Sequence, residues 1–446
     1  MKGLVQKLDK ALSDDNGLPA QQRQFLVRYV QDEVRRYAEK YCTAVLVQHR
    51  GYVFPGGALS SSRGALLDLV TPSGSLTTHL KGIADNANLS GLESRFTQPL
   101  SVCLGQLRPV VTLMTPGKEG GYPGLKGYGE IIAGILKEID TGKPPETKED
   151  GKTPGLPELL SPLGRMALAV LGEQEASPER KVEAYLEAQG LAGPLAPPFL
   201  APVQHLTRLG LAELDSALKQ HWEETLQPSV NPLLERYPFD PRADRELQPS
   251  ELDLLKPGTG TFWQTFRAIY GPVAVEQDGR WLPRKWPRGT VVLPPGMLPL
   301  VNQLAQLSVQ IFAKDGARKP ISIDVRPLPI QACENDTPAT VSVLSVSKQR
   351  LFGTNSRPAV STFAIPWWEQ EISSVSLEFG KGAGQHAAQS IEVADSQWSF
   401  FRLLERATEA RGVYTWILPS EGGRTPCEVR FELLTNPLSL FRLNRR

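Results

Sequence analysis

The apolar positions of this chain follow two different periods, one before and one after residue 314. In PAQQRQFLVRYVQDEVRRYAEKYCTAVLV, Phe25, Val30, Val34, Tyr37 and Tyr41 recur every three to five positions, with Arg28, Asp32, Arg35 and Glu39 between them. That spacing predicts an amphipathic helix over 19–47. A stretch rich in Gly, Pro and Ser (GYVFPGGALSSSR) breaks it, and 63–70 and 76–88 read as further helices, the second after the turn Thr71-Pro72-Ser73-Gly74. An apolar island, YGEIIAGILKEI, covers 128–139. The run TGKPPETKEDGKTPG that follows lacks the apolar surface to offset the entropy of ordering, so it reads as a solvated linker or loop tip near a domain boundary.

Helical spacing resumes at 163–172, 178–189, 211–226, 252–270 and 297–313, with the Pro-rich patch GPLAPPFLAP read as a break between the second and third. In the last of these, Leu300, Leu304, Leu307 and Ile311 share one face. After Lys314 the period falls towards two. ISIDVRPLPI, TVSVLSV, ISSVSLEFG, VYTWILP and CEVRFELL alternate or are rich in β-branched and aromatic residues, and a single helix at 399–408 (SFFRLLERAT) interrupts them. The expectation is a multidomain chain: a helical domain over 1–150, a second helical domain over 151–314, and an antiparallel β-sandwich with one helix over 315–446.

Composition narrows the function classes. The chain has 446 residues and a net charge of +1, from 49 basic and 48 acidic residues, so no field spans the sequence to draw in nucleic acid or an anionic membrane. No window has the roughly 18 consecutive apolar residues of a membrane span, and the first 17 residues carry acidic groups where a signal peptide has its apolar stretch. An export signal, if the protein is exported, is expected outside this sequence. Cys42, Cys103, Cys333 and Cys427 form no CxxC pair and have no histidine at metal-ligand spacing. They are read as four independent buried thiols, with a Cys333–Cys427 disulfide as the alternative.

Catalytic chemistry finds little to stand on. Five scattered histidines, with no G-x-S-x-G, H-E-x-x-H or G-x-x-x-x-G-K-[ST] string, indicate neither an enzyme nor a cofactor or metal site. His79 and His221 read as ordinary surface or core histidines. KPGTGTFWQTF lacks the ending of a phosphate loop and reads as a turn that starts a helix, and FGKGAGQH reads as a hairpin or loop. Asp240, Asp244 and Glu246 lack the spacing of a calcium loop. GRWLPRKWPRG mixes Trp281 and Trp286 with four basic residues, as in polymer-binding surfaces, but reads better as a Trp-anchored loop with solvated charges.

Residues 221–266 carry the most specific signal. A helix with Trp222 leads into Arg236-Tyr237-Pro238-Phe239, then an acidic stretch, the turn Pro257-Gly258-Thr259-Gly260, and an aromatic helix with Phe262, Trp263 and Phe266. Further on come Trp398, Phe401, Arg402, Leu403 and Leu404, the strand VRFEL, and Asn436-Pro437-Leu438. This succession resembles the C-terminal region of the TssM/IcmF family of the type VI secretion membrane complex. EVRRYAEKYC and GSLTTHLKGIADNANL resemble the family's upstream helical part more loosely.

The resemblance implies a structural scaffold that crosses the periplasm and is not an enzyme. Its sandwich would dock on a TssJ-like outer-membrane lipoprotein, and a TssL-like inner-membrane protein would be contacted through segments absent from this sequence. Self-association in a ring-like complex is also implied, without nucleic acid or cofactor. Arg236, Tyr237, Pro238, Phe239 and Trp263 are then structural: the aromatics bury area, Pro238 ends a helix, and Asp240 caps the next turn. Trp367, Trp368, Arg350, Phe352 and Asn355 are the candidate partner contacts, one of the two tryptophans being core and the other exposed. A peptidoglycan or polysaccharide-binding module resting on Trp281 and Trp368 is the second reading.

Overall fold

A computed structural model describes residues 10, 19–87, 104–118, 121–142, 154–331, 339–354, 359–369, 372–379, 387–419 and 426–442. The chain divides into two compact units. The first comprises Met1–Lys148, Pro157–Ala217 and Lys285–Val291, and the second Glu149–Leu156, Leu218–Arg284 and Val292–Arg446. No described helix is long and apolar enough to cross a membrane.

The first unit is helical. Helix α1 (Ala20–Arg50) buries Ala38, Cys42, Val45 and His49, spaced four, three and four apart, so one face of its C-terminal half enters the core. Around that face pack α2 (Leu59–Leu67), α3 (Ser75–Ala87), α4 (Arg108–Leu113), α5 (Lys126–Thr141), α6 (Pro162–Leu171), α7 (Pro178–Ala188) and the first turns of α8 (Pro197–His221). Tyr128 of α5 is fully buried, and its hydroxyl donates to the Phe199 carbonyl at 2.7 Å, which removes the cost of an unpaired phenol. The Pro-rich patch read as a break is where α8 begins. Pro197 and Pro198 open that helix, where proline gives up no intrahelical hydrogen bond.

Residues 285–291, distant in sequence, belong to this unit because Arg288 is held by Glu173, Glu179 and Glu183. Of the four basic residues in GRWLPRKWPRG, Arg288 is the one these carboxylates take up, while Arg280, Arg284 and Lys285 are exposed.

Three histidines tie down the loop after α1. His205 Nε2 lies 3.0 Å from both Ser62 Oγ and the Gly57 carbonyl, and a Cβ at Gly56 would stand 2.5 Å from that nitrogen. His49 Nε2 sits 3.0 Å from the Leu195 carbonyl, His79 Nε2 sits 3.2 Å from the His49 carbonyl, and the two rings stack at 5.9 Å. Both carbonyl contacts require Nε2–H, and His49 Nδ1 is buried without a partner.

The second unit begins with the end of α8, a wide π turn (Trp222–Leu226) and α9 (Gln227–Leu234). The π turn falls just ahead of Pro228, whose ring cannot lie against the carbonyl four residues earlier in a regular helix. The single helix expected over 252–270 is two elements. A 3-10 helix, Pro249–Leu255, and α10 (Thr261–Tyr270) are separated by the turn at Gly258, whose φ of +77° suits glycine. A two-stranded hairpin, β1 (Ala274–Gln277) and β2 (Arg280–Pro283), turns at Asp278-Gly279, both with positive φ, and α11 (Met297–Ile311) follows.

The sandwich occupies the rest. One sheet has the order β6-β3-β11-β10-β9, the other β5-β4-β7-β8, and every pair is antiparallel. Their strands are β3 (Ile321–Pro327), β4 (Ala339–Val346), β5 (Gln349–Gly353), β6 (Ser361–Ile365), β7 (Ser373–Phe379), β8 (Ala387–Val393), β9 (Thr408–Ala410), β10 (Val413–Leu418) and β11 (Cys427–Leu433). Burial alternates strictly in β7 and β11, as a sheet with one buried face requires. Helix α12 (Ser399–Glu405) is shorter than the 399–408 expected, because Thr408 already starts β9.

Cys42 and Cys427 are each disulfide-bonded, which overturns the reading of four independent thiols. Cys103 and Cys333 lie outside the described residues.

Burial and the neighbouring His79 and Arg50 lower the pKa of His49, against a smaller raising effect of the Leu195 carbonyl, and burial lowers that of His79. A histidine depressed in the folded state binds its proton more readily when unfolded, so stability falls as pH drops below the unfolded value of about 6.5. The melting temperature is therefore expected to be lower at pH 5 than at pH 7. His49→Gln, which keeps a donor for the Leu195 carbonyl, should show a smaller fall in the same thermal melts.

Candidate docking site

The RYPF segment is held by the sandwich's one helix. Glu246 accepts hydrogen bonds from Ser396 Oγ at 2.7 Å, from the Gln397 amide at 3.0 Å and from Arg402 Nε at 3.2 Å. Arg402 also donates to the Ala243 carbonyl at 3.0 Å, and its guanidinium lies 3.5 Å from the centre of the Tyr237 ring. From the C-terminal turn, Arg442 donates to the Pro238 carbonyl at 2.8 Å and pairs with Glu405. Trp398 Nε1 donates to the Leu247 carbonyl at 2.8 Å, and Phe441 meets Phe239 edge-on at 5.5 Å.

Tyr237 is fully enclosed in this latch. Burial pushes its phenol well above the ordinary tyrosine value, the Glu405 carboxylate adds to the rise, and Arg402 and Arg442 oppose it. The phenol therefore stays protonated and neutral, and the aromatic face remains available to the Arg402 cation.

The other motif residues are structural too. Arg236 pairs with Glu251 at 2.6 Å, Phe239 is buried, Asp240 Oδ1 accepts from the Arg242 amide, and Trp263 Nε1 donates to the Leu255 carbonyl at 3.0 Å. Pro238 lies beyond the end of α9, which closes at Leu234.

The candidate contact residues separate. Trp367 is 2% exposed, donates from Nε1 to the Lys319 carbonyl and stacks on Trp398 at 6.1 Å, so it has no surface to offer a partner. Trp368, half-buried on the turn after β6, meets Trp367 edge-on. Arg350 and Phe352 project from the outer face of β5, where Phe352 is 55% exposed. Asn355 lies outside the described residues, as does most of FGKGAGQH. Trp281 is buried against Phe266 at 4.9 Å and cannot stack on a sugar ring.

Reactive chemistry does not converge. Among the described residues no three His, Cys, Asp or Glu side chains are placed to hold a metal ion. Ser62 and His205 do pair, but both are buried and the pair is spent on holding the Gly57 loop. An open cleft of the second unit, about 580 Å³, is lined by Glu392, Asp395, Ser396, Arg402, Glu405 and Arg406. Arg402 and Glu405 there belong to the latch, whose partners are up to 204 residues apart in sequence.

Arg402→Ala is expected to lower the stability of the second unit by roughly 2 to 4 kcal/mol in denaturant unfolding, since it strands Glu246 partly buried. Arg402→Lys should recover only a minor part. An ammonium cannot lie flat on the Tyr237 ring while reaching both Glu246 and the Ala243 carbonyl.

No known protein-family profile and no curated protein matches the chain. Solved structures do. A chain of a "Type VI secretion system membrane core complex" superposes with a TM-score of 0.62 at 17% identity, covering 92% of this chain and 82% of that one. A chain of a "Type VI membrane complex" gives 0.58 at 16% identity, covering 100% and 87%. Helical region and sandwich together thus have the fold of these membrane-complex chains over nearly the whole sequence.

Proposed function

We propose that this chain is a TssM-like, non-catalytic scaffold of the type VI secretion membrane complex, which crosses the periplasm and docks on a TssJ-like outer-membrane lipoprotein through its sandwich. The observation that carries this reading is a fold shared with membrane-complex chains over at least 92% of the sequence, in a molecule whose buried Ser62–His205 pair is spent on holding the Gly57 loop. The disulfide-bonded Cys42 and Cys427 add support, since such bonds persist in oxidising compartments such as the bacterial periplasm. Arg350, Phe352 and the half-buried Trp368 are the contact side chains offered by the sandwich. Contacts with a TssL-like inner-membrane protein and self-association in a ring-like complex belong to the same reading.

Pull-down of the full chain with the lipid-free lipoprotein of the same secretion system tests it. The chain is expected to retain the lipoprotein, and Phe352→Ala should weaken retention without lowering the melting temperature, because that ring is exposed. Retention of purified peptidoglycan with none of the lipoprotein would replace the scaffold reading with the glycan-binding one.

A further inference from the structure

The five-stranded sheet has a seam. Strand β3 shares five registered pairs with β6 but only three with β11, namely Val325–Leu433, Arg326–Glu432 and Pro327–Phe431, whereas β10 and β11 share six. The β6-β3 half of the sheet and the β11-β10-β9 half therefore meet along a ladder half as long as that of β10 with β11. Among the described strands none pairs with residues 427–430 of β11 on the β3 side.

The chain that leaves β3 nevertheless stays beside β11. The Leu328 amide donates to the Arg430 carbonyl at 3.1 Å, and Arg430 Nη2 donates to the Pro329 carbonyl at 3.2 Å. With its amide nitrogen turned towards the carboxylate, Gln331 donates to Glu428 Oε2 at 2.9 Å and accepts from Arg430 Nη1 at 3.1 Å. Residues 328–331 thus continue the antiparallel run without a ladder, and Gln331 ends beside the neighbour of Cys427. Cys333 is two residues further on, within about 7 Å of chain.

Cys42 and Cys427 are both disulfide-bonded, and four cysteines can be paired in three ways. These two are not partners of each other. Cys427 faces inward on β11 and is 1% exposed, whereas Cys42 lies in a helical core whose buried members come from residues 42–206. A disulfide needs its two Cα atoms within about 7 Å, and two separate cores do not offer that. Enclosed as it is, Cys427 has no surface for a cysteine of another molecule. Of the two pairings left, the observations favour one: Gln331 brings Cys333 towards Cys427, and Leu104, next to Cys103 in sequence, is buried in the same core as Cys42.

We propose that a Cys333–Cys427 disulfide staples the seam of the five-stranded sheet, and that Cys42–Cys103 closes the helical core of the first unit. The pairing does not depend on the scaffold reading. The seam joins strands far apart in sequence, with Arg326 and Glu432 separated by 106 residues, so a bond there removes much of the freedom of the unfolded chain. Each bond forms by exchange with a disulfide-carrying oxidant, whose own disulfide takes up the two electrons and two protons released by the cysteine thiols. The sandwich therefore reaches its full stability only in an oxidising compartment.

The test is a non-reducing protease digest of the full, oxidised chain read by mass spectrometry. Linked peptides that join Cys333 to Cys427 and Cys42 to Cys103, both lost on reduction, are expected. Peptides that join Cys42 to Cys333, Cys103 to Cys427 or one chain to another overturn the pairing, as does alkylation of Cys333 without prior reduction. Stapling is read from the double variant Cys333→Ser with Cys427→Ser, which leaves no thiol to mispair. It is expected to unfold at lower denaturant than the wild type, with faster hydrogen exchange at the Leu328 and Leu433 amides and the Cys42–Cys103 peptide intact. Unfolding at the wild-type midpoint overturns the staple. Should the double variant not fold, the wild-type digest decides the pairing alone.

Discussion

The second unit depends on one cation. Arg402 must be charged, and in its half-buried place that charge is tolerable only because Tyr237 gives it an aromatic face, Glu246 a carboxylate and Ala243 a carbonyl. Each of those partners is in turn fixed by the sandwich side. Glu246 is held by Ser396 and the Gln397 amide, and Tyr237 is followed by the two carbonyls that Arg442 holds. The RYPF segment and the end of the β-domain are therefore one packed body, in which no member can leave without stranding a charge or a buried donor.

The elements that follow a single period were legible. The helix from Lys126 and the alternating strands β7 and β11 follow directly from apolar spacing, and so does the existence of the helix from Ala20, although its buried face is Ala38, Cys42, Val45 and His49 while Phe25 and Tyr37 of the expected face are exposed. Misreadings arose where local chemistry has two meanings. Prolines at 197 and 198 start a helix as readily as they end one, and helical spacing on both sides of the Pro257-Gly258-Thr259-Gly260 turn merged two helices into one span over 252–270, although the turn itself was read as a helix start. The hairpin at Asp278-Gly279 had a signal, the Asp-Gly pair itself, which the tryptophans and basic residues that follow it obscured.

The latch was legible only in half. Tyr237, Phe239, Trp398 and Arg402 stood out as motif residues, and burial of Tyr237 and Phe239 was expected. That Glu246 pairs with Arg402, 156 residues on, is fixed by the packing of the helix against the RYPF loop, and no local spacing encodes it. The same applies to Arg288, whose three glutamates all lie more than a hundred residues earlier. In GRWLPRKWPRG that pairing takes up Arg288 and burial takes up Trp281, and neither is encoded by the local string.

The most direct measurement is native-state hydrogen exchange across the second unit. The Tyr237 amide donates to the Arg245 carbonyl and the Leu247 amide to the Tyr237 carbonyl, so both report on the RYPF loop, while the amides of β10 report on the sandwich. The account predicts that the loop and β10 amides exchange through the same global opening, with equal free energies and equal sensitivity to denaturant. If Tyr237 and Leu247 exchange through a local opening well below that of β10, the latch does not bind loop and sandwich into one body, and the account of a single packed body is contradicted.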